Sequence, residues 1–235
     1  ASKPPLPARI GIEGLGTITA VGDGVTKLAV GDSVMSLGRT NWAEEIQVPA
    51  KAVVKVPKDA DMHQLSMLKV NPTTAKFMLD RYVALQPGDW VIQNAANSAV
   101  GRYIIQLART KGVKTLNVVR RSELVEELCE MGADMVLVDG DDLAERVRAE
   151  VGDANISLAI DAVAGKGTLN LGGALSEGGT VVNYGLLSGG PCQLTPEMVV
   201  FKGITLTGFW LAKLLGNMTP EELQTMYGEL ASQIA

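Results

Sequence analysis

Cysteine and histidine are scarce in this chain: 235 residues hold two of the first and one of the second. Cys129 and Cys192 are too few and too far apart for a disulfide framework or a cysteine-rich zinc site. That fits a reduced, intracellular compartment. Long apolar runs are missing as well. Charges or glycines break each run short of membrane-spanning length, so no transmembrane helix is expected. Nor is there an excess of basic charge. Lys and Arg number 21 against 26 Asp and Glu, a formal net charge of −5, which gives no sign of nucleic-acid binding. The opening Ala1-Ser2-Lys3-Pro4-Pro5-Leu6-Pro7 has neither a signal-peptide nor a transit-peptide pattern and reads like the middle of a domain. The helical stretch from Pro220 to Ala235 carries no closing signal. The expectation is a part of a longer protein. With 46% hydrophobic and 20% charged residues, the chain has the makings of one large or two small globular domains.

What is present is concentrated between residues 90 and 122. Val91-Ile92-Gln93 reads as a buried strand. It runs into the small-residue turn Asn94-Ala95-Ala96-Asn97-Ser98-Ala99-Val100-Gly101. A helix from Arg102 to Lys111 follows, with Ile104, Ile105, Leu107 and Ala108 as its apolar set. A second strand, Thr115 to Val119, ends in Arg120-Arg121. Such a strand–turn–helix–strand unit can seat a dinucleotide's pyrophosphate on the helix N-terminus. The position after the second strand reads the adenosine ribose: an acid there favours NAD, and arginine favours the 2′-phosphate of NADP. The cofactor expected is NADPH.

Upstream, residues 11 to 57 are strand-rich. Short strands are expected at Gly16–Val21, Ser33–Leu37, Glu45–Val48 and Val53–Val56, with glycine turns between, as in a small barrel or sandwich. Residues 58 to 85 read as helix, broken at Asn71 and restarted by Pro72. From Trp90 the pattern alternates. Strands are expected at Trp90–Asn94, Thr115–Val119, Met135–Val138, Leu158–Ala162, Thr180–Tyr184 and Thr205–Gly208. Helices are expected at Gly101–Lys111, Glu123–Met131, Leu143–Val151, Gly167–Ala174 and Pro196–Val200. Six buried strands with crossover helices predict an α/β fold with a doubly wound parallel sheet.

These segments together resemble the medium-chain dehydrogenase/reductase superfamily, which joins a GroES-like catalytic domain to a Rossmann domain. Gly14-Leu15-Gly16-Thr17-Ile18-Thr19-Ala20-Val21-Gly22 and Val30-Gly31-Asp32-Ser33-Val34 are similar to its catalytic-domain signature. Within it the chain looks like the mitochondrial-type trans-2-enoyl thioester reductases. Asn71-Pro72-Thr73-Thr74-Ala75, the Gln93–Gly101 turn and Gly208-Phe209-Trp210-Leu211 carry that likeness. The more specific element is Asn97-Ser98, where quinone reductases of the superfamily carry a glycine-richer turn. The resemblance implies a partial GroES-like domain with connecting helices over 1–85, a Rossmann domain over 86–213, and the start of a return to the catalytic domain over 214–235. It places NADPH contacts on Asn71, on Asn97, Ser98, Ala99 and Val100, and on Arg120, Arg121 and Ser122. Tyr184, Gly185, Leu186 and Leu187 with Phe209, Trp210 and Leu211 complete the set. Trp210 also falls at the acyl-substrate entrance. Ser122 departs from the family, which often has a further arginine there.

The resemblance also implies absences. Zinc alcohol dehydrogenases carry Gly-His-Glu where this chain has Gly11-Ile12-Glu13, and isoleucine cannot ligate zinc. Only Arg39-Thr40-Asn41-Trp42 fills the region of their four-cysteine lobe, so no metal is expected. The family's catalytic tyrosine would lie just upstream of Ala1. None of Tyr82, Tyr103, Tyr184 or Tyr227 aligns with it, so the proton donor is open.

The activity implied is NADPH-dependent reduction of trans-2-enoyl thioesters, on coenzyme A or acyl-carrier protein, in fatty acid metabolism. A homodimer paired through Thr205–Gly208 is expected, in the cytoplasm or, in a eukaryote, the mitochondrial matrix. An NADPH:quinone oxidoreductase and a non-catalytic NADPH-binding fragment stay open as alternatives. Plainer readings stand beside these. The small-residue turn can serve packing alone, Arg120 and Arg121 can be a solvated face, and Asn71 can be only a helix cap. Trp210 can be a core or interface aromatic. Asp161, at a strand end, reads as a turn or packing residue, and His63 as a helix-surface residue. Cys129 reads as a helix-face core residue, Cys192 as a loop thiol, and the nine methionines as core filler.

Overall fold

The computed structural model describes residues 6–233. The segment 1–5 and the last two residues of the expected C-terminal helix lie outside them. The chain divides into two compact units, residues 1–73 with 211–235, and residues 74–210.

The first unit contains a three-stranded antiparallel sheet, β1 (Leu15–Thr17), β2 (Ser33–Ser36) and β3 (Val53–Lys55), in that order. Met35 pairs with Leu15 on one side and Val54 on the other, and both Met35 and Val54 are buried. Pairing outlasts β1 by one residue, because Ile18 exchanges backbone bonds with Gly31 and Asp32. The expected strand over Glu45–Val48 does not form. The segment alternates exposed and half-buried residues as a strand would. Among the described residues, however, no neighbouring strand completes its ladder, and a strand is made by its partner. After α1 (Met62–Met67), capped by Asp61, comes α2 (Asn71–Arg81), whose first residues belong to this unit. After α8 (Leu211–Leu215), α9 (Pro220–Ser232) packs on β3. Its start is well specified: Thr219 and Glu222 form a reciprocal capping box, and Pro220 opens the first turn. Met226, Tyr227, Leu230 and Ala231 form one buried face of α9.

The second unit is built on a six-stranded parallel sheet of order β6-β5-β4-β7-β8-β9. The strands are β4 (Trp90–Gln93), β5 (Lys114–Val119), β6 (Met135–Val138), β7 (Ile156–Asp161), β8 (Thr180–Asn183) and β9 (Thr205–Gly208). The crossovers run through α3 (Ala99–Thr110), α4 (Val125–Glu130), α5 (Leu143–Val151), α6 (Lys166–Ala174) and α7 (Pro196–Val200). Both faces are covered, which is why the strands read as continuous apolar runs. On one face Val91, Leu158, Ile160 and Val182 pack with Met78 and Leu79 of α2 and with Ile104, Leu107 and Ala108 of α3. On the other, Ile92, Leu116, Ala159 and Val181 meet Leu143 and Val147 of α5 and Leu171 of α6. Each fully buried leucine or isoleucine contributes about 1.5–3 kcal/mol of transfer free energy.

Two local expectations need correction. Cys129 is exposed rather than in the core. In α4 only Leu128 is buried, and its neighbour, one residue on, is rotated by about 100° off that face. The helix expected over Glu123–Met131 is split: a single tighter turn, Ser122–Leu124, leads into α4. His63 is exposed on α1, and Cys192 lies half-buried outside any helix or strand. No described helix is long and apolar enough to cross a membrane.

Candidate cofactor site

Because β4 to β9 run parallel, every strand delivers its C-terminal end to the same edge of the sheet. Ligands gather at that edge in open α/β sheets, where the strand order reverses. Here the reversal lies at β4, flanked by β5 and β7. Four of the expected segments follow directly from strands on this edge. Asn97, Ser98, Ala99 and Val100 follow β4; Arg120, Arg121 and Ser122 follow β5; Tyr184 to Leu187 follow β8; Phe209 and Trp210 follow β9. Asn71, the first residue of α2, and Leu211, the first of α8, belong to the other compact unit.

The turn after β4 is tightly made. Ser98 is the N-cap of α3 and its Oγ accepts from the Gly101 N–H at 3.1 Å. The N–H groups of Ala99 and Val100 lie in the first turn, where the helix offers no carbonyl to receive them. Gly101 packs directly on the turn: a Cβ there would sit 2.4 Å from the Ala96 carbonyl oxygen. Asn97 is held by its own carbonyl, which accepts from Arg102 Nε at 3.1 Å. A helix start of this kind suits a phosphate group.

Arg120 and Arg121 are exposed at the end of β5. Arg121 makes a loose ion pair with Glu123 at 3.5 Å, both side chains more than half exposed, and Arg120 makes no ion pair among the described residues. Such exposed pairing contributes little, so both guanidinium groups remain available to an anion. Ser122 begins the short turn before α4. On the far side, Tyr184 hydrogen-bonds the Ser98 side chain. Burial pushes its hydroxyl above the usual phenol range, the Ser98 bond pulls it partway back, and the Asp161 charge adds to the rise. Gly185 lies against the β7 turn, a Cβ there being 2.5 Å from the Ala162 carbonyl oxygen. Leu186 and Leu187 are largely exposed. Phe209 packs on the core cluster of this unit, whereas Trp210 is 70% exposed and so is not a core aromatic.

Two further tyrosine hydroxyls are bonded to backbone carbonyls. Tyr227 is fully buried and donates to the Lys69 carbonyl at 3.1 Å, and Tyr82 donates to the Gly208 carbonyl at 3.0 Å. In the first unit, the loops around Ile12 and Gly38 are tied by the Lys69 ammonium, which donates to both carbonyls. Burial lowers that ammonium to about 8; the Arg39 charge lowers it too, and Glu13 opposes. Burial raises Glu13, with Lys69 opposing. Among the described residues no group of three or more His, Cys, Asp or Glu side chains could hold a metal ion.

Sequence reasoning missed the polar residues that organise the edge. Asn94 directly follows β4, Asp161 and Asn183 end β7 and β8, and hydrogen bonds link the three. The legible signal was a carboxylate or amide residue at the C-terminal end of, or directly after, each of three largely apolar strands.

Comparison with known proteins agrees with this layout. The family described as zinc-binding dehydrogenase matches residues 99–232, and the alcohol dehydrogenase GroES-like domain matches residues 1–58. The chain belongs to the medium-chain dehydrogenase/reductase superfamily. It is 38% identical over 230 residues to the mitochondrial enoyl-[acyl-carrier-protein] reductase of Rattus norvegicus, with 95% of this chain and 62% of that protein covered. It thus spans less than two thirds of that relative's length. Among solved structures, the Etr1p complex with NADP and crotonyl-CoA superposes with a TM-score of 0.87 at 29% identity, covering 95% of this chain and 67% of that one. A structure named as a putative NADPH:quinone reductase from Bacillus thuringiensis does so with a TM-score of 0.87 at 28% identity, covering 98% and 70%.

Proposed function

We propose that the protein catalyses NADPH-dependent, zinc-independent reduction of the 2,3 double bond of trans-2-enoyl thioesters carried on coenzyme A or acyl-carrier protein. The observation that carries the cofactor is the capped helix start of α3 beside the two exposed arginines after β5. The substrate class is supported by the names of the rat relative and of the Etr1p complex. Zinc independence rests on Ile12, a side chain with no donor, in the place of the histidine of zinc-dependent members.

When bound, NADPH supplies the hydride that adds to the β-carbon. The chain's part is to bind and orient. The Ala99 and Val100 N–H groups would take the pyrophosphate on the N-terminal end of α3. Arg120, Arg121 and Ser122 would take the 2′-phosphate. Tyr184 to Leu187 with Phe209 would border the nicotinamide, and Trp210 the nicotinamide and the acyl chain. Holding donor and acceptor in a reactive pose supplies a large share of such catalysis. None of the four tyrosines is assigned as proton donor.

We further propose a homodimer. β9 pairs only with β8 among the described residues, leaving an edge on which Thr205, Leu206 and Gly208 are exposed. A light-scattering mass of a single chain would count against this. The compartment proposed is the cytoplasm, or the mitochondrial matrix in a eukaryote; cell fractionation tests it.

The deciding experiment follows absorbance at 340 nm with a medium-chain trans-2-enoyl-CoA, using NADH and a quinone as controls. Turnover with NADPH and the enoyl-CoA alone is expected. Efficient quinone reduction without enoyl thioester turnover would replace this reading with the oxidoreductase of the Bacillus thuringiensis type. NADPH binding with no turnover on either would favour a non-catalytic NADPH-binding role.

A further inference from the structure

Asp161 closes β7 and is completely buried. Five donors converge on its carboxyl group. Oδ1 accepts from Asn94 Nδ2 at 2.6 Å and from the Val163 and Ala164 N–H groups at 2.9 and 3.0 Å. Oδ2 accepts from Thr168 Oγ1 at 2.6 Å and from Asn183 Nδ2 at 3.0 Å. The donors come from the turn after β4, the turn after β7, the first turns of α6 and the end of β8.

Each partner grips something further. Asn94 Oδ1 accepts from the Ala162 N–H at 2.8 Å, so its side chain pins β4 to β7 in both directions. Asn183 Nδ2 also donates to the Gly185 carbonyl at 2.9 Å. Ala164 is held at φ 64°, a conformation rare for a residue with a side chain. A packing residue requires none of this. An apolar side chain would fill the volume without the cost of drying a carboxyl group.

We infer that Asp161 is a positioning residue that sets the turns after β4, β7 and β8 in the arrangement that receives the nicotinamide half of a dinucleotide. This rests on the NADPH reading above. A dinucleotide lies across the point where the strand order reverses. Arg120 and Arg121 follow β5, on one side of β4, and mark the adenosine half. The other half therefore falls toward β7 and β8, the strands that Asp161 ties together. Being wholly buried, Asp161 acts through these turns and not on the ligand.

Two substitutions test it. Asp161→Asn keeps the shape but turns an amide N–H₂ toward donors. Asn183→Ala cuts only the arm to β8 and keeps the rest of the network, so it carries the test if Asp161→Asn fails to fold. Each variant is titrated with NADPH and with 2′,5′-ADP, which has the 2′-phosphate and adenosine but no nicotinamide. NADPH is expected to bind about tenfold more weakly, as the loss of buried hydrogen bonds implies, while 2′,5′-ADP binds as to the wild type. Equal weakening of both ligands would reveal a merely structural role and overturn the inference. Unchanged NADPH binding would overturn it too. A wild type that binds neither ligand would instead bring down the NADPH reading itself, before any variant is compared.

Discussion

Asn41 and Lys69 donate to the same two carbonyl oxygens. The Asn41 amide reaches the Ile12 oxygen at 3.1 Å and the Gly38 oxygen at 3.0 Å, and the Lys69 ammonium meets the Ile12 oxygen at 2.7 Å and the Gly38 oxygen as well. The two loops are thus tied twice, once by a neutral group and once by a titratable one. Losing Lys69 leaves both carbonyls served.

The titratable tie makes stability depend on pH. The lysine loses its proton near 8 in the folded protein and near 10.5 when unfolded. Between those values the unfolded chain binds more protons, so raising the pH stabilises the fold. Below about 8 both states are charged and the contribution is constant. Lys69→Met should abolish this rise, which paired urea titrations at pH 7.5, 8.5 and 9.5 would read, taken at about unit spacing across the window. The same slope in both proteins would refute it.

Tyr227 works in the opposite direction. Burial pushes its hydroxyl to about 12 from 10.0, and a bond to Thr73 counters. Between those values the fold binds the extra proton, so stability is lost as pH rises above 10. Tyr227→Phe should cost about 1 kcal/mol near neutral pH, through the lost bond to the Lys69 carbonyl. It should also flatten the alkaline unfolding curve, as monitored by circular dichroism.

The arginines after β5 give a selectivity test. Replacing Arg120 and Arg121 together by alanine removes the charge-assisted bonds proposed for the 2′-phosphate. At about 1.5–3 kcal/mol each, NADPH affinity should fall by about two to four orders of magnitude, with NADH nearly unchanged. Calorimetric titration of both cofactors decides it; equal loss would show that the arginines do not read the phosphate.

Gly101→Ala should destabilise the second unit, because the added carbon would meet the Ala96 carbonyl at 2.4 Å. The turn or the helix must yield, at about 1–3 kcal/mol. Denaturant midpoints measure the cost, and a midpoint equal to the wild type would mean that α3 shifts freely.

Cys129 should react with a thiol reagent in the native protein, ahead of the half-buried Cys192. Cys129→Ser should change stability by no more than about 0.5 kcal/mol, as is usual at exposed sites. Labelling only after denaturation would return this thiol to the core.

The strands of the parallel sheet were legible because burial on both faces leaves apolar runs, such as Leu158–Ile160, with turn residues between. The segments proposed for the cofactor stood out through chemistry at strand ends, Arg120-Arg121 above all, and the structure sets four of them after strands at one sheet edge. Other features depended on partners that a linear reading does not see. Glu45–Val48 has a strand's alternation but no neighbour to pair with. Cys129 sits beside Leu128 in a six-residue helix, too short for periodicity to fix which face turns inward. Asp161 looked like a turn residue because three of its five donors, Asn94, Thr168 and Asn183, lie outside its own turn, and the other two are the backbone N–H groups of Val163 and Ala164 that any turn residue could bind.

The ladder between β4 and β7 sets Val91 opposite Leu158 and Gln93 opposite Ile160. Those partners belong to distant parts of the chain, and closing such a loop costs entropy before any contact repays it. The edge that gathers Ser98, Asp161 and Tyr184 exists only once that loop has closed. Ligand competence should therefore be a late acquisition in folding, and local opening of this one ladder should erase it while much of the helical content persists.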